Sequence, residues 1–234
     1  MSILKSLFQW HSPAGANARL STLIFHRVLP QPDPLFPNEM HAIRFDALCG
    51  WLKSWFNVLP LDDAARRLAA GTLPERAACI TFDDGYADNA TVAMPILQRH
   101  GLTATFFVAT SFLDGGRMWN DTVIESIRNC SADRLDLRDV GLGYFELESL
   151  PKRRTAIDQL LGRIKYFELA QRQTTVDLIQ RAAKVVLTDE LMMTSAQVQS
   201  LHWEGMKVGA HTCSHPILAR LPDDLARAEI SRSK

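Results

Sequence analysis

Residues 76–85 read RAACITFDDG. The run from Arg76 to Phe82 is apolar and β-rich, which predicts a buried strand. It ends directly in Asp83, Asp84 and Gly85. Parallel α/β sheets gather ligands and catalytic groups at the carboxyl ends of their strands. Two adjacent carboxylates behind an apolar strand are costly to bury unless a metal or a set of donors offsets them. Gly85 lets the chain turn sharply beside them. An Asp-Asp-Gly triplet also makes an ordinary turn, so this stretch alone leaves both readings open.

Outward from it, the elements alternate. Leu20 to Leu29 (LSTLIFHRVL) predicts another buried strand, ended by Pro30 and followed by the proline-rich loop QPDPLFP. Arg44 to Phe56 has Phe45, Leu48, Leu52 and Trp55 at helical spacing, with Trp51 and Trp55 assigned to the core. Asn57 to Pro60 reads as a short strand. Leu61 to Ala70 reads as a helix opened by Asp62 and Asp63, where acidic groups suit the positive end of the dipole. After the central stretch come a helix over Asn89 to His100, stopped by Gly101, and a strand over Thr103 to Ala109. Strand–helix alternation of this kind predicts an α/β fold with a parallel sheet. From Asp121 to about Trp203 the pattern turns polar and helical, which predicts a mainly helical insertion. Thr194 caps its last helix, which ends near Gly205. Met206 to Ala210 then forms a short strand that delivers His211-Thr212-Cys213-Ser214-His215.

Two histidines four apart share one face if their loop takes a helical turn, and both imidazoles can then reach one cation. The plain alternative is a pair of surface histidines. Together, the two strand-end segments supply a mixed nitrogen and oxygen donor set suited to zinc or a similar divalent ion. Three protein ligands leave positions open for water and substrate. Cys213 falls on the opposite side of the turn, and His100 and His202 fall on helices away from the site.

At these residues the sequence resembles the polysaccharide deacetylase family, the NodB-homology or carbohydrate esterase family 4 proteins. TFDDG followed by Tyr86-Ala87-Asp88-Asn89 matches its first motif, and AHTCSHPILARL (Ala210 to Leu221) its second. FHRV (Phe25 to Val28), GLTATFFV (Gly101 to Val108) and MWND (Met118 to Asp121) also fit. The resemblance implies a single domain over 1–234, a distorted (β/α) barrel with a helical insertion over about 121–203. It implies metal-dependent removal of N-acetyl groups from a saccharide, with zinc the expected ion. Asp83 would be the catalytic base, and Asp84, His211 and His215 the metal ligands. His26, Tyr86 and Trp119 are candidates for lining the site.

The family's later segments, including its general-acid histidine, find no match before Lys234. The expectation is a barrel incomplete at its C-terminus, with the acid beyond residue 234 and with open sheet edges that favour dimerisation. Two other readings stay open: a metal-dependent amidase acting on a non-sugar amide, and a non-catalytic carbohydrate-binding remnant.

Composition bounds the partners. Lys plus Arg and Asp plus Glu both number 26 in 234 residues, which offers no basic excess for a nucleic-acid partner. No stretch approaches the roughly 20 apolar residues that cross a bilayer. Cys49, Cys79, Cys130 and Cys213 form no paired spacing. With a start at Met1 to Gln9 unlike a signal peptide, they point to a cytoplasmic protein.

Overall fold

The computed structural model describes residues 9–234, so the reading of the N-terminal start lies, but for Gln9, outside the described residues. The strands are β1 (Leu20–Phe25), β2 (Asn57–Val58), β3 (Ala77–Phe82), β4 (Thr105–Val108), β5 (Arg134–Leu137), β6 (Gly143–Glu146) and β7 (Lys207–Ala210). The helices are α1 (Ala42–Trp55), α2 (Leu61–Ala69), α3 (Met94–His100) and α4 (Trp119–Asn129). They continue with α5 (Leu150–Ile164), α6 (Leu169–Ala183), α7 (Ser195–Trp203) and α8 (Asp223–Arg232). The chain divides into two compact units.

The first unit runs to Gln31 and resumes over Glu39–Gly115 and Leu191–Lys234. It holds a five-stranded parallel sheet ordered β1-β3-β4-β7, with β2 paired to the start of β3. β1 follows β3 along its whole length, from Leu20 opposite Ala77 to Phe25 opposite Phe82. β4 joins at Thr81 and Phe82, and β7 joins β4 from Thr105 opposite Lys207 to Val108 opposite Ala210. Because every pairing is parallel, the carboxyl ends of β3, β4 and β7 share one edge. The α/β reading and its parallel sheet are therefore found. All six residues of β3 are buried, the mark of a strand covered on both faces. Ile80 and Phe82 enter the larger core, where Phe82 stacks on Phe106 with centroids 4.7 Å apart. Ala77 and Cys79 enter a smaller one with Ala64 and Leu73.

α1 buries Phe45, Cys49 and Leu52. Trp51 corrects the sequence reading: it is 62% exposed. It lies about 100° around the helix from Leu52, outside the 45–49–52 stripe. Trp55 is half-buried, closer to the expectation.

The second unit comprises Pro32–Asn38 and Gly116–Glu190. α4, α5 and α6 close on a core that includes Val123, Ile127, Leu160, Val176 and Ile179. A hairpin of β5 and β6 also belongs to it, antiparallel from Arg134 opposite Glu146 to Leu137 opposite Gly143. The sequence reading did not contain this hairpin. Leu135 and Leu137 do alternate with exposed Arg134 and Asp136, but four residues are too few to separate period 2 from a helical turn. Nor does this unit reach Trp203: α7 belongs to the sheet unit, opened by the foreseen cap, in which Thr194 and Gln197 bond reciprocally. No helix among the described residues is long and apolar enough to cross a membrane.

Candidate metal centre

The site lies at the carboxyl ends of β3, β4 and β7. Leaving β3, the Asp83 amide still donates to the Phe25 carbonyl at 2.9 Å. The chain then reverses through two positive φ angles, 78° at Asp84 and 93° at Gly85. Glycine is required at the second: a Cβ there would meet Val108 Cγ1 at 2.9 Å. The turn is held from outside, since the Ala109 amide donates to the Asp84 carbonyl at 3.1 Å and the Met193 amide to that of Gly85 at 2.9 Å.

The second ligand loop is strapped to the same end of β4. The His211 amide donates to the Val108 carbonyl at 2.9 Å, and the amides of Thr110 and Ser111 donate to the carbonyls of Thr212 and Cys213 at 3.2 and 3.0 Å. The loop does not take the helical turn that its i,i+4 spacing suggested. Thr212 and His215 instead have φ of 64° and 52°. The Thr212 hydroxyl accepts from the His215 amide at 3.1 Å and closes the turn.

This backbone brings three of the expected residues together. Asp84 Oδ1 lies 3.5 Å from His211 Nε2 and 3.4 Å from His215 Nε2, and the two nitrogens are 3.2 Å apart. Among the described residues this is the one group of three or more His, Cys, Asp or Glu side chains that could hold a metal ion. Asp84 is 5% exposed, and its Oδ1 is buried with no hydrogen-bond partner. A buried, unsatisfied carboxylate oxygen is expensive unless a cation takes its charge. Donors bound tetrahedrally at about 2.0–2.1 Å sit about 3.3–3.4 Å from one another, close to the three spacings observed. The three donors therefore fit a small divalent ion such as zinc. Burial, chiefly, and the nearby His211 and His26 pull the His215 pKa below its ordinary value, against Asp84 and Asp83. The imidazole is thereby kept in the neutral form that binds metals.

The remaining candidates fall as follows. Asp83 is half-buried and His26 is exposed at the end of β1, and both act electrostatically on His215. Tyr86 is 4% exposed, and the Arg27 guanidinium lies 4.9 Å above its ring. Trp119 opens α4 in the helical unit, with the Arg172 guanidinium 4.8 Å above its ring. Cys213 lies outside the group of Asp84, His211 and His215. His100 pairs with Asp46 at 3.0 Å, and His202 is exposed on α7.

Two features escaped the sequence reading. Asp88, 7% exposed, accepts from Arg27 Nε at 2.8 Å and from the Val28 amide at 3.1 Å, tying the FHRV segment to the first motif. Glu229 on α8 accepts from the amides of Cys213 and Ser214 at 2.9 and 2.8 Å, and from the Ser214 hydroxyl at 2.7 Å. Burial pulls the Glu229 pKa upward, but these donors outweigh it and hold the carboxyl below its usual value. Asp88 sits inside the first motif, although its residue type alone does not reveal this tie to Arg27; Glu229 carries no signal of spacing or composition.

Comparison with known proteins agrees with the motifs. The polysaccharide deacetylase profile matches residues 70–234. The Bacillus subtilis protein YxkH is 23% identical over 161 residues, 68% of this chain and 55% of its own length. The Streptococcus pyogenes deacetylase PplD, solved in complex with acetate, superposes with a TM-score of 0.55 at 18% identity, over 92% of this chain and 66% of its own. The de-N-acetylase from Aggregatibacter actinomycetemcomitans gives 0.47 at 20% identity, over 82% of this chain and 54% of its own. The chain thus spans about half to two thirds of the length of these relatives. The profile covers well over half of the chain and includes Asp84, His211 and His215, so the chain belongs to the polysaccharide deacetylase family.

Proposed function

We propose that the chain carries the metal site of a hydrolase that removes N-acetyl groups from a saccharide, with Asp84, His211 and His215 holding the ion. The observation that carries this reading is the orphaned, buried Asp84 Oδ1 facing two imidazole nitrogens at 3.4–3.5 Å. A divalent ion bound there supplies a Lewis acid that polarises the amide carbonyl and makes a water more acidic. Asp83 is adjacent to the ligand carboxylate but outside the ligand group, which suits it to accept the proton of the attacking water. Asp84 would offer a carboxylate oxygen to the cation, and His211 and His215 their imidazole nitrogens. His26, close enough to influence His215, is read as a polar group of the same site. Attack by water and expulsion of the amine would release acetate, the molecule bound to PplD.

Zinc is the favoured ion because the spacings suit tetrahedral donors. The family profile runs through both units, which supports reading them as parts of one deacetylase-type domain. All four cysteines are free thiols, which fits a cytoplasmic setting; together with the FHRV segment, that setting leans the reading towards a biosynthetic exopolysaccharide or glycolipid substrate.

The test is metal content by elemental analysis, in the parent and in a His211→Ala, His215→Ala double variant, with acetate release from N-acetylglucosamine oligomers measured alongside. Near-stoichiometric zinc in the parent, lost in the variant together with acetate release, is the expected result. A parent that takes up no divalent ion after reconstitution would sink the proposal.

A further inference from the structure

We infer that Glu229 is a positioning residue for the two histidine ligands, acting through the backbone of the loop that joins them. This rests on the metal reading above. Three residues separate His211 from His215, and each is tied down from outside the loop. Thr212 is held at its carbonyl by the Thr110 amide, and its hydroxyl receives the His215 amide. Cys213 is held at its carbonyl by Ser111. The remaining polar groups, the amides of Cys213 and Ser214 and the Ser214 hydroxyl, all converge on one carboxylate at 2.7–2.9 Å. Glu229 Oε2 takes both amides and Oε1 takes the hydroxyl.

Two consecutive amides converge on one oxygen only where the backbone curves into a concave nest, an arrangement that suits an anion. Here the anion is supplied by the protein from α8. The curvature matters because Thr212 and His215 sit at φ of 64° and 52°, a left-handed region that L-residues avoid. Without the carboxylate, the two amides would turn to water and the loop could relax toward ordinary φ. The His215 imidazole would then swing away from the 3.2 Å approach to His211 that a shared ion needs. Glu229 touches neither histidine and lies outside the ligand group, so its effect is on the geometry of the donors rather than on their number.

The metal-free protein would be titrated with Co2+, followed by its visible absorption. Parent, Glu229→Gln and Ser214→Ala would be compared at a temperature where calorimetry shows each metal-free form folded. Glu229→Gln keeps the shape but replaces one acceptor oxygen by a donor amide, which faces donors. Its Co2+ affinity is expected to fall about 10- to 100-fold, the usual loss when a group supporting a metal ligand is removed. Ser214→Ala gives up only the hydroxyl bond and should weaken binding severalfold. A merely structural role would lower the melting temperature while leaving the affinity of the folded protein unchanged. Affinity within twofold of the parent in Glu229→Gln would overturn the inference. Should that variant not fold, an unchanged affinity in Ser214→Ala would overturn it instead. A parent that binds no Co2+ would remove the metal reading itself, and this inference with it.

Discussion

Replacing Gly85 by alanine tests whether the first ligand turn is shaped by the close approach of β4. At φ of 93° an L-residue is strained by roughly 1–2 kcal/mol. The added Cβ also lands 2.9 Å from Val108 Cγ1 and 3.5 Å from Val108 Cα and Cβ. Val108 cannot easily retreat: it is 2% exposed, pairs with Ala210 in β7, and its carbonyl receives the His211 amide. Overpacking of this kind costs about 1–3 kcal/mol, so the two effects together come to about 2–4 kcal/mol. In a chain of this size that lowers the melting temperature by roughly 5–15 °C, readable by calorimetry on the metal-free protein. Displacing Gly85 also pulls on Asp84, whose carbonyl is fixed by the Ala109 amide, so Co2+ affinity should fall as well. Adding Val108→Ala removes Cγ1 and leaves the remaining approach at 3.5 Å, an ordinary contact. The double variant should therefore be more stable than the sum of the single losses by about 1 kcal/mol, as expected for touching residues. A melting temperature within two degrees of the parent (roughly half a kcal/mol), or strict additivity in the cycle, would refute the steric argument.

Two further outcomes are expected. Asp83→Asn should bind zinc or Co2+ as the parent does, while acetate release falls about 10²- to 10⁴-fold, the usual contribution of a general base. Activity within a few-fold of the parent in a metal-loaded variant would remove Asp83 from that role. In the helical unit, Asp33 accepts from Arg128 Nη1 and Nη2 at 2.9 and 2.7 Å and from the Leu35 amide at 2.8 Å. Burial pulls its pKa up, but the Arg128 and Leu35 bonds outweigh it and hold the carboxyl below its ordinary 3.8. Because the folded pKa is the lower one, its contribution is complete above 3.8 and is lost as pH falls through the folded value. The stability advantage of the parent over Asp33→Asn, measured by urea unfolding, should be full at neutral pH and shrink in acid. An advantage that stays constant down to about pH 2 would contradict this assignment.

The parallel sheet could be read from the sequence because its central strand leaves no room for another pattern. Ala77–Phe82 is apolar at every position but Thr81, and it is buried at every position. The helix after β1 is equally plain, since Phe45, Leu48, Leu52 and Trp55 recur at helical spacing, although Cys49 rather than Leu48 is the fully buried neighbour. Elements fixed by few residues were not. β5 and β6 are four residues each, and their pairing is set by Leu135 opposite Phe145, a contact no local window contains. Trp51 falls beside the apolar face of α1 rather than on it: the buried stripe is Phe45, Cys49 and Leu52, and a step of about 100° from Leu52 carries Trp51 into solvent.

The site divides along the same line, and the division is physical. Asp84, His211 and His215 announce themselves because metal chemistry demands particular side chains, and those demands are written in residue types. The shape that aims them is written in backbone angles, and here spacing misled. An i,i+4 spacing of the histidines suggested a helical turn, yet Thr212 and His215 have φ of 64° and 52°. A short segment of L-residues does not choose such angles by its own propensities. They persist because the ends of the loop are tied to partners far away in sequence: Val108, Thr110 and Ser111 at the end of β4, and Glu229 on α8. The same holds for Asp84, whose φ of 78° is kept by Ala109 and by a glycine that admits Val108. The identity of the candidate ligands is thus local information, while their geometry is a property of the assembled sheet edge. A peptide containing HTCSH alone should therefore bind a divalent ion far more weakly than the folded protein, although it carries both histidines.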